Sequence, residues 1–322
     1  MNIYPLKFHP ILKERLWGGT KLKEVLGKSI DSDITGESWE LSTVKGDVSV
    51  VSNGDLSGTS LQELINSNTE GLLGKSVAQR FGKEFPILIK FIDAKQDLSI
   101  QLHPNDDLAK KRHDSFGKTE MWYIMDADKD ANLIVGFNKE VTKEEYSESL
   151  KKDTLLDLMN YETVQEGDTF FINTGKIHAI GAGVLLAEIQ QTSDVTYRVF
   201  DFNRKDKDGN LRELHTEMAL DAIDYALKDD FKVDYPKVKD TVNTMVDCPY
   251  FKTNFLELTN NMDQNVSGRD SFTIYMCVGG KASISNEYGV AEIQKGETVL
   301  VPAASKKIEI QTSGAKLLEV TI

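Results

Sequence analysis

Four side chains in the sequence could together hold a divalent metal ion. They offer two imidazole nitrogens, one carboxylate and one amide oxygen, and they belong to Gln101, His103, Glu120 and His178. A mixed nitrogen and oxygen set of this kind suits Zn²⁺ and leaves coordination positions open for water or substrate. The sequence therefore predicts a metal site that uses no thiolate.

Gln101 and His103 share one face of a predicted strand. Alternation along residues 98–103 places Ser99 on the same face and turns the even-numbered apolar residues towards a core. A row of Ser, Gln and His on an otherwise apolar strand is typical of the lining of a barrel mouth. A solvent-facing edge strand is the alternative for this segment.

The remaining candidates are charged or titratable residues in apolar surroundings. Lys118 and Glu120 would share a face of an extended segment, although a surface charge pair has the same pattern. His178 lies between two glycine turns after an apolar strand, where a purely structural histidine is the alternative. Glu188 and Arg198 interrupt apolar segments, and each needs a partner if it is buried.

Short apolar segments separated by turn-rich stretches must position these residues. They predict an all-β sandwich or barrel rather than repeating βαβ units, with strands at 87–92, 98–103, 169–172, 184–189, 272–278 and 298–301. One helix is predicted at 142–159, where Thr142 and Glu145 form a capping box, and a second at 216–227. The charged segment 229–239 is predicted to be a linker.

The two sides of this linker share a faint pattern. Gly167–Asn173 and Gly296–Pro302 each read as a glycine, an acid, a threonine, three apolar residues and a turn residue. We interpret this as an internal repeat of a small β-barrel. The sequence thus predicts a metal-binding catalytic domain at 1–240 and a smaller β domain at 241–322. The second domain has no histidine after Gly279 and is predicted to lack a metal site.

Composition limits the class of function. The 322 residues include 38 Lys and Arg against 51 Asp and Glu, a net charge of −13, which disfavours nucleic acid and anionic membranes as partners. The N-terminus shows no signal-peptide pattern, and no run of about 18 apolar residues occurs. The two cysteines, Cys248 and Cys277, are too few for a disulfide framework. A cytoplasmic protein is therefore expected.

The spacing of the metal candidates resembles the two-motif arrangement of cupin barrels, with two departures. Gln101 replaces the first histidine of the usual His-x-His, and Asn173 replaces a proline. With these departures the chain resembles type I phosphomannose isomerases in their short bacterial form. The string Ser99–Pro104 is the most specific part of the resemblance. The other matching segments are Leu16–Gly19, Gly36–Glu40, Pro86–Asp106, Lys118–Tyr123, His178–Gly181 and Gln190–Phe202.

The resemblance implies a mainly β fold of two cupin-type jelly-roll barrels with a few peripheral helices. It also implies an isomerase that interconverts mannose 6-phosphate and fructose 6-phosphate through an enediolate, with one Zn²⁺ per chain. The implied metal ligands are Gln101, His103, Glu120 and His178. The implied catalytic residues are Arg198, Glu188 and Lys118, and the implied substrate-binding residues are Lys90, Ser99 and Arg204.

Three assignments stay open at this stage. Trp17 is grouped with the substrate-binding residues as a sugar-stacking wall, with a core position as the alternative. The general base is Glu188, with a pKa raised by burial, or a metal-bound water, and Lys118 is a possible partner acid. A buried salt bridge from Glu188 to Lys118 or Arg198 is an equal alternative to a role as base.

Two other functions fit the same barrel. One is a non-catalytic module that binds a sugar phosphate, and the other is a metal-dependent oxygenase, which usually calls for an iron held by more histidines. Lys118, Glu188 and Arg198 together favour the isomerase. The expected partner is a small sugar phosphate, with neither nucleic acid nor membrane, and no oligomeric state is predicted.

Overall fold

The computed structural model describes residues 3–205, 208–228 and 231–322. Strands dominate this part of the chain, as predicted. They are β1 Ile11–Gly19, β2 Thr35–Leu41, β3 Thr43–Val44, β4 Asp47–Val48, β5 Ile87–Ala94, β6 Ile100–Leu102, β7 Glu120–Ala127, β8 Asn132–Phe137, β9 Met159–Thr163, β10 Thr169–Ile172, β11 His178–Ile180, β12 Val184–Gln191, β13 Tyr197–Phe200, β14 Asn243–Asp247, β15 Lys252–Leu258, β16 Met262–Asn265, β17 Thr273–Asn286, β18 Gly289–Gln294, β19 Thr298–Val301, β20 Lys307–Gln311 and β21 Ala315–Thr321.

The α-helices are few and short. They are α1 Lys21–Glu24, α2 Leu61–Ser67, α3 Thr69–Leu73, α4 Lys75–Phe81, α5 Asp106–His113, α6 Lys143–Lys151 and α7 Thr216–Leu220, with 3₁₀ turns at Gly54–Leu56 and Leu155–Leu158. Within the described ranges, none of these helices has both the length and the apolar character needed to cross a bilayer.

Two antiparallel sheets form the first barrel. Six strands pair in the order β1-β2-β5-β12-β7-β10, and five pair in the order β13-β6-β11-β8-β9. Apolar residues from both sheets meet in one cluster, among them Ile92 and Leu186 from the first sheet and Leu133 and Ile180 from the second. The side chains that fill this interior alternate along each strand with others that point outwards.

The C-terminal strands form a second β structure that backs the first. They pair in the order β14-β15-β21-β17-β20-β16, with β18 and β19 also paired to the long strand β17. The outer face of the six-stranded sheet, including Phe91 and Tyr123, belongs to the same apolar cluster as Phe255 and Leu318 of the C-terminal strands. The rings of Tyr123 and Phe255 stack with centroids 6.0 Å apart. The two barrels are therefore joined through a continuous apolar core.

The predicted helices exist but are shorter than the sequence pattern suggested. The capping box of Thr142 and Glu145 is present, yet α6 ends at Lys151 rather than at residue 159. Asp153 adopts a left-handed φ of 58°, after which the chain forms a 3₁₀ turn and β9. The second helix ends at Leu220 rather than 227, and Leu227 is about half exposed at 49%. The prediction that this helix continues to Leu227 is therefore wrong.

The predicted linker is fastened to the first barrel. Residues 229–230 of it lie outside the described residues, and the part from 231 onwards contains no helix. The backbone N–H of Val233 donates to Thr169 O at 2.8 Å, and the Tyr235 hydroxyl donates to Gly167 O at 2.8 Å. These bonds fix the crossing between the two β structures beside the turn that opens β10.

The two copies of the predicted repeat form the same turn. Gly167 and Gly296 have φ values of 87° and 88°, in the left-handed region that favours glycine. Asp168 accepts a bond from the N–H of Gln165 at 3.1 Å, and Glu297 accepts one from Gln294 at 2.9 Å. Each turn then leads into a strand that pairs antiparallel with a long central strand, β7 or β17. This local match supports the internal repeat.

Candidate active site

The two barrel sheets bring the predicted metal ligands together. Glu120 is the first residue of β7 in one sheet, and His178 is the first residue of β11 in the other. Glu120 Oε1 lies 3.5 Å from His178 Nε2, and Glu120 Oε2 lies 3.5 Å from His103 Nε2. One ligand atom from each of the three residues lies within 4.8 Å of the others, and all three side chains are buried.

Main-chain carbonyls orient both imidazoles for metal binding. His103 Nδ1–H donates to Val195 O at 2.9 Å, and His178 Nδ1–H donates to Lys176 O at 2.8 Å. Because each Nδ1 carries the proton, each Nε2 presents its lone pair to the cluster. Burial holds the pKa of His103 well below its usual range and lowers that of His178 to about 3. Both rings are therefore neutral ligands at physiological pH.

Gln101 is placed beside the cluster by strand register. It pairs with His178 of β11 on one side and with Arg198 of β13 on the other. Side chains of directly paired residues share a face of the sheet, so Gln101 projects into the same interior as His178 and Arg198. All three residues line the same cavity.

The donor atoms of the cluster fit a bound cation. Among the described residues, His178 Nε2 and Glu120 Oε1 are buried without a hydrogen-bond partner. A buried polar atom without a partner costs about 1–3 kcal/mol. A divalent ion between these atoms would remove that cost for both, and the imidazole, carboxylate and amide set suits such an ion.

Lys118 borders the cluster. Its Nζ lies 2.8 Å from Glu120 Oε2 and 3.1 Å from His103 Nε2. Burial would lower the pKa of Lys118, but Glu120 and Glu188 outweigh it, so the pKa is raised and the ammonium stays charged. Burial raises the pKa of Glu120 to about 7 although Lys118 opposes the shift.

Glu188 has a partner that the sequence did not reveal. Its Oε2 lies 2.9 Å from Lys90 Nζ, and its Oε1 accepts a hydrogen bond from Trp122 Nε1 at 3.0 Å. Burial would raise its pKa, but Lys90 and Lys118 outweigh burial and hold the pKa at about 2. The expected salt bridge therefore exists, with Lys90 rather than Lys118 or Arg198, and the expected upward pKa shift is wrong in direction.

A cavity of about 450 Å³ opens next to the metal cluster. Eight of the residues predicted for the site line it, namely Trp17, Lys90, Ser99, Gln101, Lys118, His178, Glu188 and Arg198. His103 and Glu120 lie buried behind this wall. Arg204 is not part of the wall, because its guanidinium binds Asp201 and the carbonyl of Asp97.

Aromatic and aliphatic side chains form part of the cavity wall, beside the charged and polar ones. Trp17 and Trp39 both line it while being almost fully buried, so a core position and a place in the wall, which were alternatives for Trp17, do not exclude each other. Trp39 Nε1 donates to Glu37 Oε2 at 2.5 Å, and Lys90 Nζ lies 5.2 Å from the centre of the Trp39 ring. Leu98 also lines the cavity, and it does not join the outward-facing cluster that contains Ile100 and Leu102.

Several cavity residues were missed by the sequence reasoning. They are Arg15, Glu37, Trp122, Asp194, Thr196 and Arg212. Glu37 and Trp122 lie within matched segments, so their neighbourhoods were available as a signal. Arg15 gave no such signal, because apolar and polar residues do not alternate around it in β1. Arg212 lies in a polar loop with no periodicity, and nothing in the sequence singled it out.

The chain is similar to known proteins along most of its length. The chain matches a model for the catalytic domain of type I phosphomannose isomerase over residues 6–137 and one for the cupin domain of mannose-6-phosphate isomerase over residues 241–320. It is 38% identical over 306 residues to mannose-6-phosphate isomerase ManA of Bacillus subtilis, which covers 94% of each chain. It is 31% identical over 303 residues to the mannose-6-phosphate isomerase of Streptococcus mutans, which covers 94% of this chain and 93% of that protein.

The fold of the chain also matches that of a solved structure. The crystal structure of mannose 6-phosphate isomerase from Bacillus subtilis superposes with a TM-score of 0.89 at 31% identity, over 99% of this chain and 100% of that chain.

Proposed function

The chain belongs to the type I phosphomannose isomerase family, and from that premise we propose that its cavity interconverts mannose 6-phosphate and fructose 6-phosphate with one bound Zn²⁺. One observation carries the proposal. The buried cluster of His103, Glu120 and His178 lies beside a cavity whose wall includes Lys118, Glu188 and Arg198. A site that only bound a sugar phosphate would not need buried acid–base groups next to a metal cluster.

The metal would be held by Gln101, His103, Glu120 and His178. When bound there it would supply Lewis-acid stabilisation of the negative charge that develops on the sugar oxygens as a proton leaves carbon. Arg198 adds to this stabilisation from the neighbouring strand. Burial and nearby Arg212 lower the pKa of Arg198, but a guanidinium stays protonated at any working pH. Arg198 therefore stabilises or orients charge and is a poor proton shuttle.

Proton transfer falls to Glu188 and Lys118 in this proposal. Glu188 is ionised at neutral pH because Lys90 and Lys118 hold its pKa low, so it can accept a proton, although the same low pKa makes it a weak base. Lys118 is charged and can return a proton to oxygen. Trp17, Lys90 and Ser99 line the cavity around these groups, which supports their assignment to substrate binding.

Two further proposals concern the roles of the two domains and the cellular compartment. We assign catalysis to residues 1–240 and a structural, backing role to residues 241–322, because every residue of the metal cluster lies in the first part. Both cysteines, Cys248 and Cys277, are free, which supports a reducing compartment such as the cytoplasm.

Metal removal tests the proposed function directly. The purified protein is stripped with a chelator, and isomerisation of mannose 6-phosphate is followed before and after Zn²⁺ is added. We expect His178→Ala to lose both metal and activity, whereas Arg198→Ala keeps the metal and loses turnover. His9→Ala is the matched control, because His9 is exposed and lies outside the cluster.

Each alternative gives a different result. Activity that survives complete metal removal would refute the mechanism, and release of metal by Arg198→Ala would show that its role is wrong. A binding module would show saturable binding in calorimetry without exchange of the C2 proton into solvent. An oxygenase would consume O₂, and we expect none to be consumed.

A further inference from the structure

The cations that line the cavity differ in how fully carboxylates neutralise them. Five cations line the wall, and three of them each have a carboxylate of their own. These pairs are Arg15 with Glu37 at 2.8 Å, Lys90 with Glu188 at 2.9 Å, and Lys118 with Glu120 at 2.8 Å. The two cations left are Arg198 and Arg212.

Arg198 ion-pairs with no carboxylate in the part of the chain that the structure describes. Its Nε donates to Ser99 Oγ at 3.3 Å, and its Nη1 donates to Glu213 O at 3.0 Å. Both acceptors are neutral, so the guanidinium keeps its full charge at the cavity wall. Burial and the nearby Arg212 and Arg204 lower the pKa of Arg198, and Asp201 and Glu213 only partly oppose this shift.

Arg212 is held rigidly and only partly neutralised. Its Nε donates to Asp201 Oδ2 at 2.7 Å and its Nη2 donates to Asp201 Oδ1. Asp201 is almost buried, at 6% exposure, and it also accepts a bond from Arg204 Nη2. One carboxylate thus serves two guanidinium groups. Over the described ranges, Arg212 Nη1 has no hydrogen-bond partner, and the side chain lines the cavity.

Arg204 differs from Arg212 in what it faces. Its guanidinium is used by Asp201 and by two carbonyl oxygens, those of Asp201 and Asp97. It does not line the cavity. Arg204 therefore ties the loop of Asp201 to the barrel, whereas Arg212 carries its unused donor to the space where substrate would bind.

We propose that Arg212, positioned by Asp201 and acting beside Arg198 and Ser99, binds the phosphate group of the substrate. This inference rests on the proposed function and names the residue that would select a phosphorylated sugar. A phosphate monoester dianion matches the uncompensated charge, and guanidinium donors suit its oxygens. Arg198 pairs with Gln101 across the sheet and lies near Arg212, so a phosphate held by Arg212 would leave the other end of the substrate free to reach the metal cluster.

The test compares Arg212→Gln with Arg112→Gln as the matched control, since Arg112 also binds an aspartate, Asp221, but does not line the cavity. Steady-state kinetics with mannose 6-phosphate give KM and kcat, and inorganic phosphate is used as a competitive inhibitor. For Arg212→Gln we expect KM and the inhibition constant of phosphate to rise by about tenfold or more. We expect kcat within about threefold of the unaltered enzyme and unchanged metal content. Asp201→Asn should raise KM in the same direction, and Arg212→Lys should restore part of the loss.

The outcomes separate this inference from the proposed function. If the metal-loaded enzyme has no isomerase activity, the proposed function fails, and calorimetry with inorganic phosphate still tests Arg212. If Arg212→Gln leaves KM and phosphate inhibition within about twofold, or Arg112→Gln raises both as much, the assignment of Arg212 is overturned.

Discussion

The two histidines of the candidate metal cluster are oriented by hydrogen bonds to backbone carbonyls. Val195 O and Lys176 O fix the Nδ1 proton of His103 and His178, so each ring already exposes its other nitrogen to Glu120. Alternation in the sequence was enough to place Gln101 and His103 on one face of β6. It was not enough to find the carbonyls, because these belong to residues that are distant in sequence or lie in an irregular loop.

Cross-strand partners could not be predicted for the same reason. Glu188 was known to need a cation, but three were available, and only the register of β5 against β12 sets Lys90 opposite Glu188. A shift of one residue would turn Lys90 to the other face of the sheet. The direction of the Glu188 pKa shift depends on that choice of partner, which explains why burial alone gave the wrong sign.

The titration of Glu120 predicts how metal binding depends on pH. Its pKa is raised to about 7 in the metal-free site, so below neutrality the ion must displace a proton from this carboxyl. The pKa of His178 is lowered to about 3 and that of His103 is well below normal, so neither ring contributes a proton. We therefore expect zinc affinity to weaken as pH falls below about 7, with release of about one proton per ion at about pH 6 and almost none at about pH 8.5.

Calorimetric titration of the metal-free protein with zinc measures this release when it is repeated in buffers of different ionisation enthalpy. Gln101→Ala is a suitable control, because an amide has no proton to lose and the number released should not change. Release of two or more protons at about pH 6 would contradict the assignment, since it would require protonated histidines.

At the scale of elements, local patterns located the strands well and the helix ends poorly. Each of the six predicted strands falls on an observed one, for example 169–172 on β10 and 298–301 on β19. The helix from Thr142 was extended too far, because its apolar pattern continues into β9, where tertiary packing decides the conformation. Helices α2 to α4 were missed, although Ser60 and Glu63 form a capping box. Their periodicity is interrupted by Asn68 and Gly74.

The packing of β7 between the two barrels predicts that the site depends on the second barrel for stability. Tyr123, next to Trp122 of the cavity wall, stacks on Phe255 of β15 in the shared apolar cluster. Phe255→Ala would remove a buried ring, so we expect the free energy of unfolding to fall by about 3–5 kcal/mol. Denaturant unfolding of the metal-loaded protein measures the change.

Val290→Ala serves as the control for this substitution. Val290 lies on β18 and is 56% exposed, so its truncation should change stability by less than about 0.5 kcal/mol. If Phe255→Ala costs no more than Val290→Ala, the contact between the barrels does not support the catalytic sheet.

For the molecule as a whole, strand register extends the internal repeat from the turns to the polar interior of each barrel. In the first barrel, Glu188 is paired with Trp122 on one side and Lys90 on the other. In the second, Glu319 occupies the corresponding place on β21, with Tyr275 and Asn254 on its two sides.

The contacts of Glu319 repeat those of Glu188. The hydroxyl of Tyr275 donates to Glu319 Oε1 at 2.9 Å, as Trp122 donates to Glu188 Oε1 at 3.0 Å. Asn254 Nδ2 donates to Glu319 Oε2 at 2.9 Å, where Lys90 meets Glu188 Oε2.

The position of the proposed metal ligand Glu120 differs between the two barrels. Glu120 pairs with Ile172, and the same place in the second barrel, opposite Val301, is taken by Thr273. The guanidinium of Arg269 donates to Thr273 Oγ1 at 2.8 Å and to Glu319 Oε1 at 3.1 Å. A fixed protein cation thus balances the buried carboxylate where the first barrel offers a metal cluster. We interpret the second interior as the structural counterpart of the site.

This correspondence predicts that the same substitution, Glu→Gln, lowers stability in the second barrel and turnover in the first. The Glu319 carboxylate is fully buried and balances the charge of the partly exposed Arg269. Because Glu319→Gln removes this balancing charge, we expect the free energy of unfolding to fall by about 1–3 kcal/mol. Metal content, kcat and KM should stay within about twofold of the unaltered enzyme, because Glu319 lies outside the metal cluster and the cavity.

Glu188→Gln should keep the metal but lower kcat by about a hundredfold or more, since it removes the proposed base. Denaturant unfolding, metal analysis and the isomerase assay on both variants decide the matter. A Glu319→Gln enzyme with normal stability and a tenfold lower kcat would show that the second barrel takes part in catalysis and is not only a support.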